Sequence, residues 1–314
     1  MKCLVLALLA FLCLSSARAQ TLDRYRTVAL TFDDLPDALD DLAGMRRNTP
    51  ELLRTLKLHN APAIGFVNES KLHAPGELDA RTAVLKQWVN AGMILGNHTF
   101  SHSRLFTTPL AKYEQDVING EVITRRLMSG HKPYQLYFRH PYTSTGPNKE
   151  VKEAFEKFLA ERGYKVAPFT IENSDYIFNR LYVDARRDKD RELMERLRKA
   201  YLELNDAQFE FFERISNEMF GRQISQILLI HANDINADCL DQMLKRLESR
   251  GYHFVTLDQA LEDKAYQTKD DYIGPNGPSW LHRWTVNMGM KMKLAEEPDP
   301  PKWVLDMSKA RAGN

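Results

Sequence analysis

Two short segments carry residues of the types that bind a divalent metal. One reads Gly-Asn-His-Thr-Phe-Ser-His from Gly96 to His102, and the other, Thr31-Phe32-Asp33-Asp34, directly follows an apolar run. Together they offer one carboxylate and two imidazoles as ligands, with a second carboxylate left over to act as a base. This combination predicts a metal-dependent hydrolase.

The spacing of the two histidines adds to this hypothesis. His98 and His102 are four residues apart, so they would face the same side if the segment were helical. Asp34 would complete a ligand set that leaves room for water and substrate. Zinc is the ion expected for an aspartate with two histidines, although Co²⁺ or another divalent metal could replace it.

The elements that must position these residues follow an alternating pattern of short β-rich runs and longer helical stretches, which is typical of a parallel sheet covered by helices. The predicted strands are residues 27–32, 63–67, 93–95, 135–138, 165–167, 226–230 and 253–255. The predicted helices are residues 50–58, capped by Asn48-Thr49, and about 78–90, 112–128, 149–161 and 238–249. A barrel and a doubly wound sheet both fit this count.

In both architectures, functional residues collect at the carboxyl ends of the strands. Five residues whose side chains could take part in catalysis or metal binding fall at or just after such an end: Asp33, Asp34, His98, Arg139 and His231. Their shared placement is more informative than any one of them alone.

The chain divides into three parts. Residues 1–19 have the charged start, short apolar core and small-residue cleavage site of a secretory signal. Residues 20–263 form the predicted catalytic domain, with a heavily charged helical insertion at about 181–220 that could be a lid or a substrate wall. Residues 264–314 form an extension that we expect to pack on the domain, because it carries three of the four tryptophans.

Composition and cysteine usage narrow the function further. The apolar run of the signal is shorter than the ~20 residues that span a bilayer, so we expect a secreted or periplasmic protein with no membrane anchor after cleavage. A formal net charge of +1 does not favour a nucleic-acid partner. Cys239 is the only cysteine outside the signal, so no intramolecular disulfide is expected, and its pattern predicts a small buried residue.

The chain resembles the NodB-homology polysaccharide deacetylases, carbohydrate esterase family 4, over roughly residues 27–261. Five short segments carry the resemblance, in this order: Thr31 to Asp34, His98 to His102, Arg139 to Tyr142, Glu172 to Tyr176 and Leu229 to His231. The resemblance implies a distorted (β/α) barrel of the NodB-homology type. It also implies hydrolysis of acetyl groups on an oligo- or polysaccharide.

The resemblance assigns roles to individual residues. Asp33 is implied as the general base, and Arg139 as the residue that orients it. Asp34, His98 and His102 are implied as the metal ligands.

Further roles lie on the later segments. The resemblance implies that Asp175 braces the arginine and that the backbone N–H of Tyr142 helps to hold the oxyanion. Leu229 is implied to line the acetyl pocket, with Tyr176 beside it. His231 is implied as the general acid.

The chain departs from the family pattern at three points. Tyr176 stands where a tryptophan is usual, Glu172 replaces an aspartate, and Asn233 lies near a position where an aspartate often follows the acid histidine. The substrate therefore stays open between N-acetyl groups of chitin-like or peptidoglycan sugars and O-acetyl groups of xylan. Two other functions also stay open: a carbohydrate-binding pseudoenzyme, and a metal-dependent hydrolase of small cyclic amides.

Overall fold

The computed structural model describes residues 26–39, 41–131, 134–290 and 296–312. The predicted secretory signal at residues 1–19 lies outside these ranges. None of the helices in these ranges has the length and apolar character of a membrane span.

The described residues build one sheet in which all the strand pairings are parallel. Its strands are β1 (Arg26–Leu35), β2 (Ala63–Val67), β3 (Ile94–Asn97), β4 (Leu136–Phe138), β5 (Tyr164–Val166), β6 (Ile171–Glu172), β7 (Gln226–His231) and β8 (Tyr252–Val255). Their order is β5-β4-β3-β2-β1-β7-β6, with β8 paired to the first residues of β1. Strand β1 pairs with three strands, β2, β7 and β8. Its near-continuous burial is typical of a parallel strand covered on both faces.

The sheet curls on itself. Strands β5 and β6 lie at opposite ends of the strand order, yet Val166 and Ile171 are only five residues apart in the chain. A segment of that length spans at most about 18 Å, so the two ends of the sheet must approach each other. The linking segment bonds to β4 and β7, the strands next to the two ends, through the Ala167 N–H to the Phe138 carbonyl and the Thr170 N–H to the Ile227 carbonyl. This arrangement confirms the predicted distorted (β/α) barrel.

Helices surround the sheet. They are α1 (Leu42–Leu58), α2 (Leu78–Asn90), α3 (Leu110–Asn119), α4 (Val122–Met128), α5 (Lys149–Glu161), α6 (Asp175–Arg187), α7 (Arg191–Phe220), α8 (Asp234–Ser249), α9 (Leu257–Ala260), α10 (Trp280–Asn287) and α11 (Lys302–Ala312). Short 3-10 turns lie at Glu69–Leu72, Pro141–Thr143 and Lys264–Gln267. Most of the buried apolar side chains of sheet and helices form one continuous core.

The first helix begins earlier than the sequence predicts. Asp41 caps it by accepting hydrogen bonds from the N–H groups of Ala43 and Gly44. Asn48, predicted as part of the cap, lies inside the helix and donates its amide to Asp37 at 2.9 Å and to Asp234 at 3.1 Å. The polar residue that resembled a cap serves a buried tertiary contact instead.

The helix predicted at residues 112–128 is in fact two helices, α3 and α4. The break falls at Gly120, where an added Cβ would lie 2.5 Å from the Phe100 nitrogen and 2.6 Å from the Thr99 carbonyl carbon. Only a glycine allows the chain to pass so close to that loop. The sequence pattern also did not predict the two-residue strand β6. It predicted the start of α8 four residues too late, because Asn233 caps that helix.

The predicted helical insertion and C-terminal extension both contribute buried side chains. The apolar face of α7 buries, among others, Leu197, Tyr201 and Phe209. In the extension, Trp280 and Trp284 are buried. Cys239 is also buried, as its sequence context predicted.

Candidate active site

The carboxyl ends of β1, β3 and β7, together with the turn that follows β4, converge on a cleft of about 720 Å³. Every residue predicted for the site lines this cleft except Arg139 and Asp175, which contact its lining residues from behind. The lining is Asp33, Asp34, Ala38, Lys71, His98, His102, Tyr142, Thr143, Phe169, Glu172, Tyr176, Arg180, Leu229, His231, Asn276 and Gly277.

Three of these side chains could hold a metal ion. Oδ1 of Asp34 lies 3.3 Å from Nε2 of His102 and 3.6 Å from Nε2 of His98. The three ligand atoms all lie within 4.8 Å of one another. Oδ1 of Asp34 is also buried without a hydrogen-bond partner, a costly state for a carboxylate unless a cation faces it. One carboxylate and two imidazoles in this arrangement fit a divalent metal.

The protonation of the site also suits a metal. Nδ1 of His98 lies 2.7 Å from the Arg139 carbonyl, which can only accept, so Nδ1 carries the hydrogen and Nε2 turns its lone pair toward Asp34. Burial lowers the pKa of His98 and of His102 to about 4, even though Asp34 opposes this. Burial also tends to raise the pKa of Asp34, but Lys71 and the histidines outweigh it and hold that pKa below its usual range. The ligand set is therefore one carboxylate and two neutral imidazoles.

The segment that carries the two histidines is a loop after β3, so the helical case considered from their spacing does not apply. The imidazoles converge because Thr99 and His102 adopt left-handed φ values of 64° and 57°. Oδ1 of Asn97 accepts the Thr99 N–H at 2.7 Å, and the Phe100 N–H bonds to the Asp116 carbonyl at 3.0 Å. These contacts fix a backbone that helical spacing alone would not give.

Asp33 lies beside a buried arginine. Arg139 is 0% exposed, and its Nη1 lies 3.6 Å from Oδ2 of Asp33. Its Nη2 donates to Oγ1 of Thr31 at 3.1 Å and to the Pro168 carbonyl at 3.2 Å. Burial raises the pKa of Asp33, and the positive charge of Arg139 offsets only part of this rise.

His231 is held by Asp175. Oδ1 of Asp175 lies 2.7 Å from Nδ1 of His231, and Oδ2 accepts the His231 backbone N–H at 2.7 Å. Asn233 and Asn236 donate their amides to the same carboxylate. Burial alone would lower the pKa of His231, but the charge and hydrogen bond of Asp175 raise it to about 10.

The role implied for Asp175, bracing of the arginine, is therefore wrong. Its described hydrogen bonds all go to His231, Asn233 and Asn236. The topology explains this, since Asp175 closely follows β6 and β6 pairs with β7, the strand that ends at His231. Asp175 acts on the candidate acid instead of the arginine.

The remaining predicted residues form the rim and walls of the cleft. Tyr142 is 46% exposed, and its ring centroid lies 4.6 Å from that of His102. Tyr176 is 47% exposed, with its ring centroid 6.5 Å from His231. Leu229 is buried in the wall.

Sequence reasoning missed several residues of the cleft. Lys71 donates to the backbone carbonyls of Asp34 at 3.2 Å and Asp37 at 2.9 Å, but it belongs to no recognisable motif. Asn276 and Gly277 come from a Gly- and Pro-rich segment of the C-terminal extension, which the sequence marks only as a break in pattern. No local signal connects that segment with a cleft whose other lining residues lie between Asp33 and His231.

Comparisons with known proteins agree with this geometry. A family model described as polysaccharide deacetylase matches residues 22–167. A peptidoglycan-N-acetylglucosamine deacetylase of Bacillus cereus is 26% identical over 73% of this chain and 66% of its own length. One from Listeria monocytogenes is 25% identical over 76% of this chain and 40% of its own length. A chitin deacetylase of Colletotrichum lindemuthianum is 23% identical over 75% of this chain and 79% of its own.

Solved structures share the fold. BA3943, a CE4 family pseudoenzyme from Bacillus anthracis, matches with a TM-score of 0.50 and 16% identity over 76% of this chain and 66% of its own. A mutant of BA3943 with restored enzymatic activity matches with a TM-score of 0.52 and 17% identity, over 76% and 68% of the two chains. At these identities the likeness concerns the fold.

Proposed function

We propose that this chain, of which a polysaccharide deacetylase family model matches residues 22–167, is a metal-dependent hydrolase that removes acetyl groups from an acetylated polysaccharide. The observation that carries the proposal is one cleft with three parts side by side. These are the ligand set of Asp34 and two histidines, the Asp33–Arg139 pair, and the Asp175–His231 pair.

Asp34, His98 and His102 would hold the metal, for which Zn²⁺ is the expected ion and Co²⁺ a substitute. When bound, the ion supplies Lewis-acid polarisation of the acetyl carbonyl and acidifies a water molecule. The protein contributes three fixed ligand atoms, and the open side of the cleft leaves space for substrate.

Asp33 is the proposed general base, which takes a proton from the attacking water. A base works best when its pKa lies near the operating pH, and burial moves the pKa of Asp33 upward in that direction. Arg139 holds the carboxylate in place from behind, and its own contacts to Thr31 and Pro168 fix the guanidinium.

His231 is the proposed general acid. Asp175 takes the Nδ1 side of the ring, so Nε2 is the atom that would give a proton to the departing amine or alcohol. With a pKa near 10, His231 is protonated at neutral pH in the metal-free protein. We assign oxyanion binding to the backbone N–H of Tyr142 and the acetyl pocket to Leu229, with Tyr176 on the rim.

We further propose that the substrate is an N-acetylated polysaccharide of the peptidoglycan or chitin type. The support is that relatives from Bacillus cereus and Colletotrichum lindemuthianum carry the names of such deacetylases. O-acetylated xylan is the competing substrate. Export to a secreted or periplasmic location would follow from the signal predicted at residues 1–19.

The test is acetate release by purified protein, with zinc and after chelation. The substrates are N-acetylglucosamine oligomers, peptidoglycan, acetylated xylan and a small aryl acetate. Metal-dependent acetate from the amino-sugar polymers is expected. Acetate from xylan alone would overturn the substrate class. Metal binding without acetate from any of the four would favour a carbohydrate-binding pseudoenzyme or a hydrolase of small cyclic amides.

A further inference from the structure

The turn at Tyr142 and Thr143 has an unusual backbone. Both residues adopt left-handed conformations, with φ values of 55° and 51°, although neither is a glycine. L-amino acids rarely adopt this region, and two in succession persist only where surrounding contacts hold them. Both residues line the cleft, so whatever holds this turn also shapes the site.

The contacts that hold the turn come from the C-terminal extension. The Gly277 N–H donates to the Tyr142 carbonyl at 3.2 Å and to Oγ1 of Thr143 at 2.8 Å. The single hydroxyl proton of Thr143 can reach the Gly277 carbonyl or the Tyr142 carbonyl, each at 2.7 Å. Thr145 continues the pairing through its N–H and hydroxyl, which meet Gly274 and Tyr272. Residues more than 120 positions apart in the chain thus lie backbone to backbone.

The approach at Gly277 leaves no space for a side chain. A Cβ added there would lie 1.7 Å from Nη2 of Arg283 and 2.6 Å from the Thr143 carbonyl oxygen. A substitution would therefore push against the backbone of the turn itself, in addition to a flexible side chain.

The side chain of Arg283 also holds the turn and the extension together. Its side chain is 0% exposed, and Nη2 donates to the Thr143 carbonyl at 3.1 Å. Nε donates to the Pro278 carbonyl at 3.0 Å, and Nη1 to Oδ2 of Asp270 at 2.9 Å. Its guanidinium carbon lies 3.7 Å from the ring centroid of Trp280. One planar group joins the turn and the extension, and it does not line the cleft.

We propose that residues 270–283, which we call the C-terminal clamp, are a positioning element of the active site. Gly277 and Arg283 hold the Tyr142 backbone where the proposed reaction needs an oxyanion donor. This inference rests on the proposed deacetylase function. The clamp lies beyond residue 167, where the family match ends.

The test compares Gly277→Ala and Arg283→Lys with Gly130→Ala, a control whose added methyl group would meet no atom within 4 Å. For each protein, kcat, KM, zinc affinity, circular dichroism and melting temperature are measured. We expect kcat of Gly277→Ala to fall at least tenfold, since a small misplacement of a donor has large effects on rate. Zinc affinity should stay within twofold of the wild type, because neither residue contacts the ligands. Arg283→Lys should lose less than Gly277→Ala, and the control should match the wild type.

Unchanged kcat in folded Gly277→Ala would overturn the clamp. A loss of activity in proportion to the unfolded fraction would overturn it too, because the segment would then serve stability alone. The wild type in the same assay separates this inference from the proposed function. No acetate from the zinc-loaded wild type would overturn the proposed function itself, whereas an active wild type with unaffected variants would overturn only the clamp.

Discussion

Asp33 and His231 are paired residues in the parallel ladder between β1 and β7. Paired residues on adjacent strands lie about 5 Å apart and point to the same face of the sheet, so the candidate base and acid stand side by side at one edge. Each has its own partner, since Asp33 faces Arg139 at 3.6 Å and His231 faces Asp175 at 2.7 Å. Against the effect of burial, Arg139 acts to lower the pKa of Asp33 and Asp175 acts to raise that of His231. The two partners therefore push the pKa values of the candidate base and acid apart, as acid and base chemistry in one site requires.

The adjacent aspartates should respond differently to the same substitution. Asp33→Asn removes the proposed base and should lower kcat by about 10²–10⁴-fold while zinc still binds. Asp34→Asn removes a ligand and should lose zinc. Acetate release and zinc titration on both variants measure the two effects. Near-normal turnover by Asp33→Asn would remove Asp33 from the role of base.

Asp175→Asn should shift the titration of His231. In the metal-free wild type, Asp175 raises the pKa of His231 to about 10, so the imidazole stays protonated until the pH approaches that value. Without the carboxylate, burial dominates and the pKa falls, so the protonated form is lost at a lower pH. NMR titration of the metal-free proteins should show this shift.

In Asp175→Asn, the alkaline limb of the pH profile of kcat/KM should also move to lower pH.

His231→Ala should reduce hydrolysis of an N-acetyl sugar more than that of an activated aryl acetate, whose leaving group needs no proton. Equal losses on both substrates would count against His231 as the acid.

The sequence predicted the site better than it predicted the local backbone. Asp33, Asp34 and His231 could be located because each ends a strong apolar run, and parallel strands bring such ends together. The loop of His98 and His102 could not be predicted, since its form depends on left-handed residues and on contacts with Asp116.

Contacts between distant segments also could not be predicted from the sequence. Asp175 bonds to His231 because β6 pairs with β7, and β6 is only two residues long, too short to give a periodic signal. Asn48 resembled a helix cap, but its side-chain amide donates hydrogen bonds to the buried carboxylates of Asp37 and Asp234. In each case a tertiary contact overrode the local pattern.

A comparison of two buried histidines, His98 and His140, should distinguish loss of a metal ligand from loss of a buried side chain. Burial lowers the pKa of His98 to about 4 and that of His140 to about 3. His98 faces Asp34, whereas His140 packs between Phe138 and Phe155, with ring centroids at 5.0 and 5.3 Å. His98→Ala should lower zinc affinity more than the roughly 100-fold typical of losing a supporting partner, and His140→Ala should leave it nearly unchanged. Isothermal titration at a temperature where both variants are folded measures this, and equal affinities would overturn the ligand assignment.

Gly120→Ala should disturb the loop that carries His98 and His102, although Gly120 is not part of that loop. An added Cβ would lie 2.5 Å from the Phe100 nitrogen, so the backbone between the two histidines must shift. We expect a loss of about 1–3 kcal/mol in the free energy of unfolding and weaker zinc binding. Denaturant unfolding and zinc titration measure the two effects. Gly130→Ala is the control, because its new methyl group meets nothing within 4 Å, and equal behaviour of the two variants would contradict the close approach.

His59 should make stability depend on pH away from the cleft. Its ring joins the end of α1 to α8, with Nδ1 2.9 Å from Glu248 and Nε2 3.0 Å from Asp241. Burial tends to lower the pKa of His59, but the two carboxylates outweigh it and raise the pKa above its unfolded value. The charged bridge therefore stabilises the fold fully below the unfolded pKa, and this contribution is lost as the pH rises through the folded pKa.

The comparison of wild type with His59→Gln isolates this contribution. The difference in free energy of unfolding should be about 0.5–1 kcal/mol at acidic pH, because the Glu248 side chain is 44% exposed and screening limits such pairs. It should shrink as the pH rises through the folded pKa, because the ring then becomes neutral and keeps one hydrogen bond. Urea unfolding at pH 5.5 and pH 9 provides the two values. A difference that grows with pH would mean that His59 is held neutral in the fold, and the bridge would then be a hydrogen-bond contact alone.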